Sequence, residues 1–144
     1  MDRVLLAIAL CAVCGAQAAE FRSVAENAAV LYDAPSRAAT PLHVVSRYYP
    51  LEVIVNLEAW VKVRDHTGAL AWVERKSLSD RRMLLVTAPL VEARVRPASD
   101  APLAFGAVQF VALELMEVGG GGWLRVRHPD GSTGFVPASQ VWGE

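Results

Sequence analysis

Cysteine is almost absent from this sequence of 144 residues, because its 2 cysteines, Cys11 and Cys14, both lie near the amino terminus. No cysteine follows them, so the rest of the chain can hold no disulfide, no thiol nucleophile and no thiolate metal site. Cys11 and Cys14 have C-x-x-C spacing, but Gly15 stands where a haem-attachment motif has His. We interpret both cysteines as apolar members of a leader segment.

An excess of charge of either sign is also missing. The 14 Lys and Arg residues nearly balance the 15 Asp and Glu residues, which leaves a net charge of −1 at pH 7. Such a chain has no overall field to hold DNA or RNA, which argues against bulk binding of nucleic acid. A hydrophobic content of 53% with 20% charged residues is too apolar for a disordered chain. The 10 Gly and 8 Pro favour a fold with many turns over a bundle of long helices.

Long hydrophobic runs are rare, and the main one lies at the amino terminus. The apolar run from Val4 to Ala16 is shorter than the roughly 20 residues that a membrane-spanning helix needs. It has the length of a signal-peptide core, and Ala16-Gln17-Ala18 supplies a cleavage site with small residues. We therefore predict that residues 1–19 are a secretory signal peptide. An uncleaved membrane anchor and a buried core segment are the alternatives.

A repeat divides the rest of the chain. Residues 60–78 (WVKVRDHTGALAWVERKSL) align with residues 123–141 (WLRVRHPDGSTGFVPASQV). Upstream, the segment LEVI that begins at Leu51 aligns with the segment LELM that begins at Leu113. We predict two units, residues 21–78 and residues 83–142. The joint between them is short, so we expect the units to touch each other.

Within each unit, hydrophobic residues recur with a period of two. Val61 and Val63 alternate with Trp60, Lys62 and Arg64, and the second unit repeats this pattern. Such alternation is typical of half-buried strands, and turn residues separate the runs. Short strands with closely spaced turns predict an all-β fold, with one small barrel in each unit.

The motif W-x-K/R-V-R-x-x-x-G-x-x-x-W/F-V occurs in both units and resembles the C-terminal half of bacterial SH3 domains. Ala34-Pro-Ser36 and Arg96-Pro-Ala98 resemble the R-x-x-P-S segment of the same family. Unit 1 departs from the family pattern at Ala71, where unit 2 keeps Gly134. The resemblance implies two SH3-like barrels in an exported protein. It also implies a targeting or ligand-binding role, often toward cell-wall peptidoglycan.

The main candidate site is a set of alternating side chains that both units repeat. Alternation places Trp60, Lys62 and Arg64 on one face of their strand, opposite the apolar valines. An exposed aromatic ring beside two cations can stack on a sugar ring and pair with a carboxylate, and muropeptides carry both groups. The candidate ligand-binding residues are Trp60, Lys62, Arg64, Trp123, Arg125, Arg127, Tyr48 and Tyr49. The alternative is that each Trp packs across its own barrel and the cations are ordinary solvated positions.

Several other aromatic and histidine residues are expected to be structural. Trp72 and Phe135 align in the last strands and are predicted to lie in the core. Trp142 is expected either to cap the second barrel or to lie between the units. His66 and His128 fall in hairpin turns, where we predict solvated side chains and no bound metal.

Catalytic chemistry has no recognisable motif in this sequence. There is no G-x-S-x-G elbow, and Gly119–Gly122 lacks the lysine and the following helix of a phosphate-binding loop. Glu52 and Glu114 are repeated on alternating strands, where we expect a solvated outer face. We predict a non-catalytic binding module of the periplasm or cell surface, with no cofactor, no metal and no nucleic-acid partner. After signal cleavage we expect no membrane span.

Two classes of partner remain open for this module. The first is a cell-wall polymer, peptidoglycan. The second is an envelope protein, for which the chain would serve as a scaffold or adaptor. An apolar groove between the units would favour the second, because protein interfaces have an apolar, aromatic core.

Overall fold

Two antiparallel sheets make up the described part of the chain. The computed structural model describes Gly15 and residues 17–144, so the predicted leader lies largely outside the described residues. Each sheet has seven strands, and a short 3-10 turn follows the sixth strand of each. The predicted all-β fold with two tandem units is confirmed.

The first sheet contains seven strands: β1 Phe21–Val24, β2 Ala28–Tyr32, β3 Pro41–Ser46, β4 Pro50–Asn56, β5 Trp60–Arg64, β6 Leu70–Glu74 and β7 Leu78–Ser79. Their spatial order is β3-β2-β6-β5-β4-β1-β7. The 3-10 turn Arg75–Ser77 connects β6 to β7. A β-bulge interrupts the pairing of β4 with β5 between Val53 and Val55.

The second sheet repeats this arrangement: β8 Met83–Val86, β9 Leu90–Arg94, β10 Leu103–Val108, β11 Ala112–Val118, β12 Trp123–Arg127, β13 Thr133–Pro137 and β14 Val141–Trp142. The spatial order is β10-β9-β13-β12-β11-β8-β14, strand for strand the same as in the first sheet. The 3-10 turn Ala138–Gln140 and a bulge between Leu115 and Glu117 recur at the equivalent places.

Alternation along the strands gives each sheet an apolar core of its own. Val61 and Val63 of β5 are 1% and 0% exposed, and Leu124 and Val126 occupy the same positions in β12. The two clusters of buried residues have no member in common. Burial of apolar surface therefore stabilises each unit separately.

Trp72 and Phe135 lie outside these cores, so the prediction that placed them inside is wrong. In β6 the buried residues are Ala71 and Val73, and Trp72 between them is partly exposed. Val63 pairs with Ala71 in the register of β5 and β6, and this register puts both on the inner face. Trp72 then faces outward, because successive strand residues point to opposite faces.

The two units contact each other through residues that lie before, within and after the joint 79–82 in the sequence. The ring of Phe21 in the first unit meets Trp142 of the second edge to face, with centroids 5.1 Å apart and planes at 89°. Arg82 lies over the Phe21 ring at 5.7 Å and donates a hydrogen bond of 3.0 Å to the carbonyl of Gly143. Trp142 therefore lies between the units, which decides between the two places expected for it.

Two aromatic residues with left-handed backbone conformation reach across this contact. Tyr48 and Phe110 have φ values of 72° and 69° and stand two residues before β4 and β11. The Phe110 ring of the second unit lies 5.4 Å from the His66 ring of the first. Tyr48 of the first unit shares a cavity with His128 of the second. Each unit thus brings its aromatic residue to the hairpin turn of the other.

Candidate functional site

Each unit has a surface cleft beside the tryptophan that opens its fifth strand. In the first unit the cleft has a volume of about 600 Å³ and lies between the loop around Pro35 and the 3-10 turn Arg75–Ser77. Its lining includes Pro35, Arg37, Glu58, Trp60, Glu74 and Lys76. The cleft of the second unit has about 370 Å³ and is lined by Leu90, Glu92, Arg94, Ser99, Trp123, Pro137 and Gln140. Both clefts include the tryptophan, the loop after the second strand and the 3-10 turn, and the second cleft also takes three residues from β9.

The strand pattern directs each tryptophan into its cleft. Trp60 is partly exposed because its neighbour Val61 points into the core. The Trp60 ring meets Tyr32 edge to face, with centroids 5.7 Å apart. Trp123 is likewise partly exposed beside the buried Leu124. The possibility that each Trp packs across its own barrel does not match these positions.

A paired arginine and glutamate stand at each cleft. In the first unit both nitrogens of the Arg37 fork bond the two oxygens of Glu74, one of them at 3.0 Å, and Lys76 lies 3.3 Å from the same carboxylate. The hydrogen bond from Arg37 lowers the pKa of the Glu74 carboxyl below its usual value. In the second unit Arg94 bonds Glu92. A charged group next to an aromatic wall is thus present in both clefts.

Lys62 and Arg125 lie at the middle of the outer face. Lys62 pairs in register with Trp72, and Arg125 pairs with Phe135. Both cations are partly exposed. We call the outward-facing residues of the fifth strand of each unit the outer row. It consists of Trp60, Lys62 and Arg64 in the first unit and of Trp123, Arg125 and Arg127 in the second. The middle of each row holds a positive charge beside an aromatic ring.

Arg64 and Arg127 lie at the far end of the row, where glutamates hold them. Arg64 donates a hydrogen bond of 3.0 Å to Glu52, its neighbour across the β4–β5 pair. Arg127 donates one of 3.2 Å to Glu114, which also accepts 3.1 Å from Arg81. Glu52 and Glu114 therefore face outward as expected, but paired with arginines.

Burial and the two arginines act in opposite directions on Glu114. Burial raises the pKa of its carboxyl, while the hydrogen bonds from Arg81 and Arg127 lower it, and the net effect is a pKa below the usual value. The carboxylate is therefore held in its ionised form.

Tyr48 and Tyr49 do not join the tryptophan cleft of the first unit. Tyr48 lies under the guanidinium of Arg81 at 5.2 Å, at a cavity between the units. The Tyr49 hydroxyl shares a hydrogen bond with Nδ1 of His66, and burial raises the pKa of that hydroxyl. The structure thus divides the eight predicted residues among the clefts, the outer row and the contact between the units.

His66 is not the solvated turn residue that we expected. Besides its bond to Tyr49, its ring packs against Phe110, so both units contribute to its surroundings. A groove of about 310 Å³ opens here, lined mainly by apolar residues that include Tyr49, Leu85, Phe110 and Ala112. The signal that sequence reasoning missed is the repeated aromatic position, Tyr48 and Phe110, before the fourth strand of each unit.

Two negative observations apply to the part of the chain that the structure describes. Within Gly15 and residues 17–144, no three His, Asp or Glu side chains cluster as a metal site would require. In the same residues no helix has the length and apolar character to span a membrane.

A model of one protein family, described as the bacterial SH3 domain, matches the chain twice, over residues 25–80 and residues 88–143. Together the two matches cover more than half of the 144 residues. No match to a curated protein was found.

Three solved structures are similar to this chain at low identity. NlpC2 from Trichomonas vaginalis is 11% identical with a TM-score of 0.40, over 89% of this chain and 49% of that one. NlpC1 from Trichomonas vaginalis is 14% identical with a TM-score of 0.41, over 97% and 51%. An NlpC/P60 family protein from Bacillus cereus is 16% identical with a TM-score of 0.39, over 85% and 55%. The chain spans about half the length of these proteins.

Proposed function

The chain belongs to the bacterial SH3 domain family, and from that membership we propose that it is a non-catalytic, exported module that binds cell-wall peptidoglycan. Export rests on the sequence pattern of residues 1–19. The binding surfaces are the two clefts around Trp60 and Trp123, together with Lys62 and Arg125 on the adjoining row. Arg64 and Arg127 lie at the far end of the row and line neither cleft, and we assign them no part in these surfaces.

The observation that carries this proposal is a cleft beside the repeated tryptophan in each unit, with an arginine–glutamate pair that the two units supply from different positions. Each cleft combines a partly exposed indole ring with a paired arginine and glutamate. An indole face stacks on the apolar face of a sugar ring, and a cation pairs with a peptide carboxylate. A polymer of sugars that carry short peptides presents both groups side by side. Two such clefts on one chain would add avidity toward a repeating polymer.

The test compares cosedimentation of the full chain and its variants with purified sacculi. The double variant Trp60→Ala, Trp123→Ala should lose about tenfold or more in affinity, as expected when stacking surfaces are removed. Phe110→Ala is the control, because Phe110 is an exposed aromatic residue that lines neither cleft. Undiminished binding by the double variant, with an unchanged melting temperature, would contradict the proposal.

A second candidate function is a scaffold that binds an envelope protein. The apolar groove between the units supports it, because Tyr49, Leu85 and Phe110 together resemble the apolar, aromatic core of a protein interface. Phe110 is 57% exposed, which leaves much of its ring open to a partner.

One comparison separates the two functions. The full chain is mixed with sacculi and, separately, with a protein extract of the envelope, and its depletion from solution is measured. Binding of peptidoglycan predicts depletion by sacculi that weakens with added salt, because Lys62 and Arg125 are partly exposed charges. The scaffold predicts depletion by the extract that Phe110→Ser abolishes and the double tryptophan variant leaves intact. Depletion by neither would contradict both functions.

A further inference from the structure

A cavity of about 320 Å³ lies where the two units meet, apart from the tryptophan clefts. Its walls come from the first unit through Tyr48, from the joint through Arg81, and from the second unit through Glu114, Arg127 and His128. Neither unit alone has all of these groups. The volume falls at the lower end of the range of small-ligand sites in proteins.

Two guanidinium groups share one carboxylate in this cavity. Arg81 and Arg127 both donate to the same oxygen, Oε2 of Glu114, at 3.1 and 3.2 Å. Two positive charges against one negative charge leave a surplus of one positive charge. His128 also lines the cavity, and its Nδ1 accepts a hydrogen bond of 3.1 Å from the backbone N–H of Asp130.

The arginines keep hydrogen-bond donors for a further acceptor. A guanidinium has five N–H groups, and among the described residues the side chain of Arg127 uses only Nε, toward Glu114. The Arg81 side chain donates to the same carboxylate through Nη2. About half of each side chain is open to solvent, 49% for Arg81 and 45% for Arg127. Planar forks with free donors match the two oxygens of a carboxylate.

The remaining walls are apolar or aromatic. Met83 and Pro129 line the cavity, and the Tyr48 ring stands beneath Arg81 at 5.2 Å. This contact between cation and ring orients both groups. Tyr48 keeps its side chain in this position despite a φ of 72°, which costs free energy for a residue with a Cβ. A compact apolar group next to the bound carboxylate would lie against these walls.

We propose that the cavity between the units is a binding site for a carboxylate carried on a compact apolar group, such as the carboxyl end of a peptide. Arg81 and Arg127 bind the carboxylate, and Tyr48, Met83 and Pro129 contact the adjoining group. Glu114 orients the two arginines, and its charge limits the affinity. The site is independent of the tryptophan clefts, so it stands or falls separately from the proposed function.

The probes are N-acetyl-alanylalanine, its C-terminal amide and acetate, titrated into the full chain with binding followed by NMR. The free acid should shift the backbone amide signals of Tyr48, Met83 and Gly131, which line the cavity. The amide should not shift them, because it lacks the charge. Tighter binding of the peptide acid than of acetate identifies a peptide end as the ligand, and equal binding identifies a small free acid. No response to either acid overturns the proposal.

The key variant is Arg127→Gln, with Arg64→Gln as its matched control. Both arginines end equivalent strands and bond an equivalent glutamate, but Arg64 does not line the cavity. Loss of one charge-assisted contact should weaken binding of the acid by about tenfold to a hundredfold in Arg127→Gln. Arg64→Gln should bind like the unchanged chain. Equal weakening in both variants would overturn the proposal.

A second variant tests the site independently, in case Arg127→Gln does not fold. Glu114→Gln removes the opposing charge, raises the surplus from one positive charge to two, and should strengthen binding of the acid. The gain should disappear at high salt, where charges are screened. Weaker binding in Glu114→Gln, in a chain whose NMR spectrum shows that it remains folded, would contradict the role of the two arginines.

Discussion

Glu114 links stability to pH at the scale of a single residue. Its pKa lies below the ordinary value of 4.5, because the bonds from Arg81 and Arg127 outweigh the effect of burial. A group whose pKa is lowered by folding adds stability above its unfolded pKa, and this stability is lost as the pH falls through the folded pKa.

We therefore predict that Glu114→Gln lowers the free energy of unfolding by about 1 kcal/mol at pH 7, the scale of a partly exposed ion pair. Below pH 4.5 the difference should shrink as the carboxyl of the unchanged chain takes up its proton. Thermal unfolding of the variant and of the unchanged chain, from pH 7 to below pH 4.5, measures this difference in stability. A difference that stays constant in acid would contradict the ionised pairing.

Single positions were predictable from the sequence wherever strand alternation alone decides them. Alternation places Trp60 and Lys62 on the outer face, and the structure has them there. It says nothing of Tyr48, whose environment depends on a turn from the other unit. His66 was misjudged for the same reason, since Phe110 comes to it from the second unit. Local periodicity carries no information on how two units dock.

At the scale of the element, β13 fits the second sheet because of one glycine. A Cβ at Gly134 would come within 3.0 Å of Ala93 Cβ and 3.1 Å of both Ala104 Cβ and the carbonyl oxygen of Arg94. The equivalent residue of β6 is Ala71, so the first unit accommodates the methyl group that the second excludes. The two sheets share a topology but differ in packing beside this strand.

Gly134→Ala should destabilise the chain by about 1–3 kcal/mol, since overpacking forces the neighbouring strand to shift. Gly120→Ala is the control, because no heavy atom lies within 4 Å of its new methyl group. That variant should stay within about 0.5 kcal/mol of the unchanged chain. Chemical unfolding measures both. Equal stability of the two variants would show that β13 has room to spare.

Whole strands were predictable because hydrophobic residues with a period of two mark them strongly. The runs from Trp60 and Trp123 are strands, as predicted. The error at Trp72 arose because a large aromatic residue was given more weight than the alternation. The inner face of β6 belongs to Ala71 and Val73, which are smaller. Register with β5 decided their places, and register is a tertiary property.

At the scale of the whole molecule, the ring of Trp142 makes one of the aromatic contacts between the two units, beside that of Phe110 with His66. Its edge-to-face contact with Phe21 crosses from one unit to the other. Aromatic pairs of this kind contribute about 0.5–1.5 kcal/mol beyond the area they bury. Contacts between units are what make two small cores unfold together.

We predict that the unchanged chain unfolds in one transition and that Trp142→Ala separates it into two. In calorimetry, the measured enthalpy of the variant should exceed its van't Hoff enthalpy. Trp72→Ala, away from this contact, should lower stability without dividing the transition. One undivided transition in Trp142→Ala would contradict the coupling.

The division into two units was predictable from the repeat, which the two sheets follow strand for strand. The boundaries at residues 21–78 and 83–142 remain a proposal, which limited proteolysis within residues 79–82 would test. The way the units dock was not predictable, because Phe21 and Trp142 lie at opposite ends of the described chain. Nothing in their local sequence indicates that they meet.

Tyr48 of the first unit lies at the hairpin turn of the second, and Phe110 of the second unit lies at the hairpin turn of the first, so the two units make the same kind of contact in both directions. Two free halves would meet in this way only at sufficient concentration, and dilution would separate them. Residues 79–82 join the halves, so their encounter is governed by the effective concentration that a short tether imposes, of the order of millimolar. The cavity between the units is therefore expected to form at any protein concentration, including high dilution.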